Sequence, residues 1–370
     1  VSSYSLIPRV LSRASKKHSS LRGINSYLEE LGGAEFIPEP IKKGEEQIIS
    51  FYITAPSEFT GKLFEFLSST VYNPLTIEGG FMPSYVHNAC NVAARELASK
   101  INDKRSYCTE KLIETMCKNE YFGICGDGYI KDFGDISGNS LYNSYKSLLS
   151  NGITQLYITG DITPNQAESY VNNHFEQAQS TEIDKAEYKL LNPHSPEFKT
   201  EEGGTFQSCL SIGIRADKTY YPKLLIANEI LSGSASSRLF NNIREKEGLC
   251  YYISSSLYRY KGIIAIQAGI EENNAQKVTD AVDRELKLIS EKGVSEKELT
   301  NAKNSLINSL KALEDYPARL MDYMLSLSVA NVELSIENSV NEISAVDDIK
   351  GVFDTAFIDT VFLLKEAKNE

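Results

Sequence analysis

The sequence predicts an α+β protein made of two homologous domains, each a mainly antiparallel sheet with helices packed on one face. Three observations lead there. The run LIPRVLSRAS at 6–15 is echoed by LIANEILSGSAS at 225–236, and after each copy come a charged helix ending in Gly and then an apolar strand. Strand-like runs such as Leu156–Thr159 and Ile263–Ile270 are interspersed with helical patterns, as layered α+β folds require. A chain of 370 residues with 41% hydrophobic and 24% charged residues is ordinary globular usage, with ample core for two domains.

In the first copy, a helix over Leu21–Leu31 stops at Gly32 and Gly33, and Gln47–Thr54 is a strand. The charged stretch 181–200, with Pro193 and Pro196 and no periodicity, reads as a linker. The domains are therefore drawn at 1–185 and 201–370, joined by 186–200. The second copy places a strand, Phe206–Arg215, ahead of its first helix, where the first copy has only Val1–Ser3. An additional strand ahead of Val1 is expected on that ground. Further on, Leu239, Phe240 and Ile243 make one apolar helical face that ends at Gly248. Leu249, Tyr251, Ile253, Ser255 and Leu257 then alternate as a strand, and Ile263–Ile270 closes a hairpin. Ser295 and Glu298 form a capping box for a long helix, which Pro317 breaks or kinks.

Composition narrows the function classes. A net charge of −12 and a pI near 5.1 argue against a nucleic-acid partner, because no Lys/Arg run or aromatic ladder offsets the repulsion. Six cysteines without a C-x-x-C read as reduced core thiols of a cytoplasmic protein, and His87 with Cys90 lacks a second pair at zinc-finger spacing. No apolar run reaches the length of a membrane span, and none reads as a signal peptide. G-x-S-x-G, P-loop and G-x-G-x-x-G motifs are absent.

The most informative stretch is SSRLFNNIREKEGLCY at 236–251, which holds the guanidinium of Arg244 and the phenol of Tyr251 seven positions apart across a helix stop. Two readings follow from the residues. Either Arg244 pairs with Glu247 at i+3 and Tyr251 is an ordinary strand aromatic, or the two donors converge on one carbonyl oxygen. The segment LFNNIREKEGLCYY resembles the C-terminal-domain signature of the pitrilysin/insulinase family of zinc metallopeptidases. The resemblance covers nearly the whole chain in order, most specifically at 6–36, 155–161 and 236–251. It implies a duplicated insulinase-type fold in which Arg244 and Tyr251 hold the substrate backbone.

The same resemblance exposes a departure. Family members that cleave peptides carry H-x-x-E-H on a helix just ahead of a basic turn, two His binding zinc and the Glu acting as general base. This chain keeps the turn, RASKKHSS at 13–20, but Ser5, Pro8 and Arg9 stand where His, Glu and His belong. A hydroxyl is a poor zinc ligand, proline offers no base and a guanidinium repels the cation. Glu96 falls near the family's third ligand and reads as a charge on a solvated helix. Neither metal nor other cofactor is expected in this chain. The resemblance implies a non-catalytic subunit of a bacterial heterodimeric pair, orienting an extended peptide for a zinc-bearing H-x-x-E-H paralogue in peptide turnover or in maturation of a ribosomal peptide. The alternative it leaves is a structural scaffold like the core subunits of respiratory complex III.

Overall fold

In the computed structural model, which describes residues 1–175, 191–203, 207–234 and 236–366, the repeated motif appears as the same helix–helix–hairpin unit twice. The first copy runs α1 (Ser2–Leu11), α2 (Leu21–Glu30), β1 (Glu35–Lys43) and β2 (Glu46–Thr54). Ser20 caps α2 by accepting from the Gly23 N–H, and Gly32 and Gly33, both at positive φ, turn the chain into β1. The pairing of β1 with β2 is antiparallel in unbroken register from Glu35↔Thr54 to Lys43↔Glu46. α3 (Thr60–Tyr72), the short ribbon β3 (Thr76–Ile77) and β4 (Gly80–Phe81), and α4 (Pro83–Ser99) follow.

Next come α5 (Lys104–Met116), α6 (Gly138–Asn151) and α7 (Pro164–His174). The chain between α6 and α7 contains Leu156–Thr159, which is irregular and not a strand. Leu156 and Ile158 are exposed there, and the segment has no ladder partner among the described residues. Alternating apolar residues do not hold a strand without a neighbour to take their N–H and C=O groups.

The second copy begins with β5 (Glu197–Gly203) and β6 (Ser208–Arg215), then α8 (Tyr221–Ser232), a π-helix (Phe240–Lys246), β7 (Tyr252–Tyr258) and β8 (Ile263–Ile270). Sheet structure thus starts at Glu197, inside the stretch read as a linker, whose residues 186–190 lie outside the described residues. α9 (Ala275–Lys292), α10 (Glu296–Lys311), α11 (Pro317–Val329), α12 (Ile336–Ser344) and β9 (Phe357–Glu366) complete the chain. The Ser295/Glu298 capping box is formed, and Pro317 sits in the first turn of α11.

Two compact units emerge, and they exchange segments. One holds Val1–Ser99, Cys125–Ala186 and Pro317–Asp322; the other holds Lys100–Ile124, Glu187–Tyr316 and Tyr323–Glu370. The first unit's core gathers Leu6, Ile7, Val10 and Leu11 of α1 with Val86, Ala89 and Ala93 of α4 and Leu141 and Tyr145 of α6. In the second, the sheet order is β5-β9-β6-β8-β7, antiparallel except for the parallel β5–β9 pair. Leu210, Ile212 and Ile214 point into a core with α8 and α9, whereas Cys209, Phe362 and Leu364 on the opposite face meet Cys108 and Leu112 of α5. Helices therefore cover both faces of this sheet, which is why every residue of β6 is buried. The buried Arg215 ties α5 down: its guanidinium donates to Asp359 at 2.7 Å, to Glu120 at 2.6 Å and to the Met116 carbonyl at 3.0 Å.

Candidate functional site

Helical spacing puts Ser5, Pro8 and Arg9 at i, i+3 and i+4 on α1, one face of one helix. Each is already committed or unsuited to holding a metal. Ser5 is buried and its hydroxyl donates to the Ser2 carbonyl at 2.9 Å. Pro8, inside the helix, has neither a side-chain base nor an N–H. The Arg9 guanidinium engages Glu96 near the C-terminal end of α4 through two N–H groups, at 2.5 Å and 3.2 Å. The carboxylate that resemblance sets at a third-ligand position is thus occupied by a cation belonging to the chain itself. Glu96 is not merely a charge on a solvated helix, as its spacing suggested. The donor set does not fit zinc, because a guanidinium stands among the ligand positions and repels a divalent ion.

None of the four histidines lies among these α1 positions. His18 stacks on Tyr27, ring centroids 4.5 Å apart, and burial together with nearby Lys17 lowers its pKa. The His87 ring lies 3.0 Å from the Asn91 amide and, among the described residues, forms no metal-binding cluster with Cys90. His174 closes α7, and His194 lies 3.3 Å from Asp359.

The second candidate pair lies in the second unit and is built differently. Residues 240–246 form a π-helix, a wider turn than the α-helix their pattern predicts. Its end is a cap widened to match: the Glu247 N–H reaches the Asn242 carbonyl at 3.1 Å, and the Leu249 N–H reaches the Ile243 carbonyl at 3.0 Å. Gly248, at φ 64°, makes the left-handed residue that this reversal needs. Leu239 and Ile243 are fully buried and fix the turn to the core. Beyond it, the Tyr251 N–H donates to the Gly269 carbonyl at 2.8 Å, which pins its backbone to β8 just ahead of β7.

These anchors leave the polar tips outward. Tyr251 is 57% exposed and its hydroxyl lies 3.4 Å from the Glu271 carboxylate. The Arg244 guanidinium sits over the Phe240 ring, 4.5 Å from its centroid, with Glu245 at 3.6 Å. Glu247, read as the partner of Arg244 at i+3, pairs instead with Arg284 of α9. The π-turn is the reason: it changes the angular offset of positions three apart, so the α-helical i+3 rule does not carry over. Beside Arg244, burial pushes the Cys250 thiol up to about 11, with the Arg244 charge opposing that rise. β7 is an edge strand of the five-stranded sheet, so Tyr251 stands at the head of a sheet edge.

Fold and site together resemble a metallopeptidase in which Ser5, Pro8 and Arg9 stand where the resemblance sets the metal ligands and base. The profile of the Peptidase M16 inactive domain matches residues 135–306. A probable inactive metalloprotease, YmfF of Bacillus subtilis (strain 168), is 29% identical over 383 residues, covering 99% of this chain and 89% of that protein. Among solved structures, a conserved protein from Enterococcus faecalis V583 superposes with a TM-score of 0.88 at 23% identity, over 100% of this chain and 90% of that one. A peptidase M16 inactive domain from Pseudomonas fluorescens gives 0.76 at 17% identity, over 100% and 89%. Residues 135–306 thus match the inactive domain of the peptidase M16 family, the pitrilysin/insulinase type that the 236–251 segment resembles, and the chain as a whole is similar to members of that family.

Sequence reasoning missed the Arg9–Glu96 pair although it had named both residues, because it weighed each alone. The signal was present in the charges: once a cation takes a ligand position, the nearby carboxylate is its natural partner.

Proposed function

We propose that this chain is a non-catalytic, peptide-binding subunit of a heterodimeric M16 peptidase, orienting an extended peptide for cleavage by a zinc-bearing H-x-x-E-H paralogue. The observation that carries the reading is the contrast between the two sites: Arg9 is locked to Glu96 at the metal position, whereas Arg244 and Tyr251 present donors to solvent from a tethered turn. Tyr251 at the head of edge strand β7 supports a peptide that adds to the sheet edge through its own backbone, which makes recognition tolerant of sequence. Such a site serves peptide turnover or maturation of a ribosomal peptide. Six free, buried cysteines support a cytoplasmic location.

The test is reconstitution with the H-x-x-E-H paralogue of the same organism. A stable pair that cleaves peptides neither subunit cleaves alone is the expected result. A monodisperse chain that ignores the paralogue overturns the proposal.

A further inference from the structure

The first unit carries a pocket that reaches from Arg9, one of the altered metal positions, to residues that neither those positions nor the Arg244/Tyr251 pair account for. It is a cavity of about 330 Å³ between α1, α2, β1 and α4, at the lower end of the range for small-ligand sites. Its walls are mainly apolar, with Ile24, Leu28, Phe36 and Val92 among them, and its charged residues are Arg9 and Arg13. Among the described residues, no acidic one lines it.

The cations are not equally satisfied. Arg9 spends two N–H groups on Glu96, but its Nε is buried without a hydrogen-bond partner. Arg13, one helical turn further on, has no side-chain hydrogen bond or ion pair among the described residues. One positive charge on the pocket wall is therefore uncompensated among the described residues. In sequence, residues 1–28 contain Arg9, Arg13, Lys16, Lys17 and Arg22 and no Asp or Glu, in a chain whose net charge is −12, and of these Arg9 pairs with Glu96 and Lys17 with Glu65. A half-apolar cavity leaves a guanidinium partly stripped of water, and an anion that forks onto it recovers that loss.

We propose that this pocket binds the carboxylate of a monoanion bearing an apolar group, with Arg13 taking the carboxylate and the walls around Ile24, Leu28 and Phe36 taking the apolar part. A doubly charged phosphate fits less well, because one uncompensated cation and apolar walls leave its second charge unpaired. Two sources carry this chemistry: the C-terminus of a peptide ending in an apolar residue, and a small aryl- or alkyl-carboxylic acid. The inference is independent of the heterodimer, since every lining residue belongs to the first unit.

The experiment is calorimetric titration of the full chain with hydrocinnamate, with its neutral amide, and with N-acetyl-Ala-Phe as the free acid and as the amide. Acids should bind at least about tenfold more tightly than their amides, the cost of removing a charge-assisted hydrogen bond, and Arg13→Met should abolish that difference at unchanged Tm. Tighter binding of the peptide acid than of hydrocinnamate marks a peptide end as the source; the reverse marks a small acid. Equal affinity for acid and amide in the wild-type chain, or no binding by either acid, overturns the proposal. That wild-type comparison stands even if Arg13→Met fails to fold.

Discussion

The two sites differ in what their arginines have been given to do. Arg9 is enclosed by a carboxylate of its own chain, whereas Arg244 rests on an aromatic face with its polar edge toward solvent. The supporting structure differs as well. Around Arg9 an ordinary α-helix carries proline and serine at the positions chemistry would need. Around Arg244 a π-turn, a left-handed glycine, three backbone hydrogen bonds and the buried Leu239 and Ile243 hold a specific conformation. The contrast is one of geometry: rare backbone conformation at the Arg244 turn, and an ordinary helix with an ion pair at Arg9.

The largest effect that tests this contrast is on cleavage by the reconstituted pair. If Arg244 and Tyr251 donate to the substrate carbonyl as it becomes an oxyanion, Arg244→Ala and Tyr251→Phe should each lower turnover by roughly two to three orders of magnitude, about 3–4 kcal/mol. Tm and affinity for the partner should stay near wild type, since both side chains are partly or largely exposed. Near-normal cleavage by both variants moves the chain toward a scaffold role. A smaller effect is expected at the turn itself. Gly248→Ala forces a side chain into the left-handed region and should destabilise the chain by about 1–2 kcal/mol, read as a lower denaturation midpoint. Its turnover in the pair should fall by more than that loss of stability explains, because the turn aims Arg244.

At the other site the expected effect is slight. Glu96→Gln should change stability by less than about 1 kcal/mol, since the Glu96 side chain is 55% exposed, and should leave turnover of the pair unchanged. A large loss of turnover in Glu96→Gln would mean that this region still does chemistry. The smallest effect concerns the α10 cap. The Arg238 guanidinium bonded to Glu298 holds its carboxyl down to about 2, below the ordinary 4.5. A depressed carboxyl contributes stability above its ordinary value and loses it as pH falls toward the folded one. The Tm difference between wild type and Glu298→Gln should therefore be widest above pH 4.5 and shrink as pH drops toward about 2.

Local pattern made much of this legible. The cap at Ser295, the glycine stops at Gly32 and Gly248 and strand β8 all follow from residues within a few positions of each other. What stayed hidden depends on partners far away in the chain. α5 packs on the sheet of the second unit although it lies in the first half of the sequence, and no periodicity reports that. Leu156–Thr159 alternates like a strand, but a strand exists only if a neighbour completes its ladder. The π-turn escaped because its residues also make a good α-helix, and the extra residue per turn shows only in the hydrogen bonds. At the candidate site, Ser5, Pro8, Arg9, Arg244 and Tyr251 were singled out through the family resemblance, while the Arg9–Glu96 bond joins positions 87 apart and no local pattern reports it.

The central claim is that α1 has exchanged a metal centre for an internal ion pair, and the most direct measurement is the zinc content of the purified chain and of its partner. Each is incubated with zinc, dialysed and analysed by elemental mass spectrometry. The account predicts stoichiometric zinc in the H-x-x-E-H partner and only trace zinc in this chain. One zinc per chain here, removed by chelator together with hydrolysis of a model peptide, would contradict it.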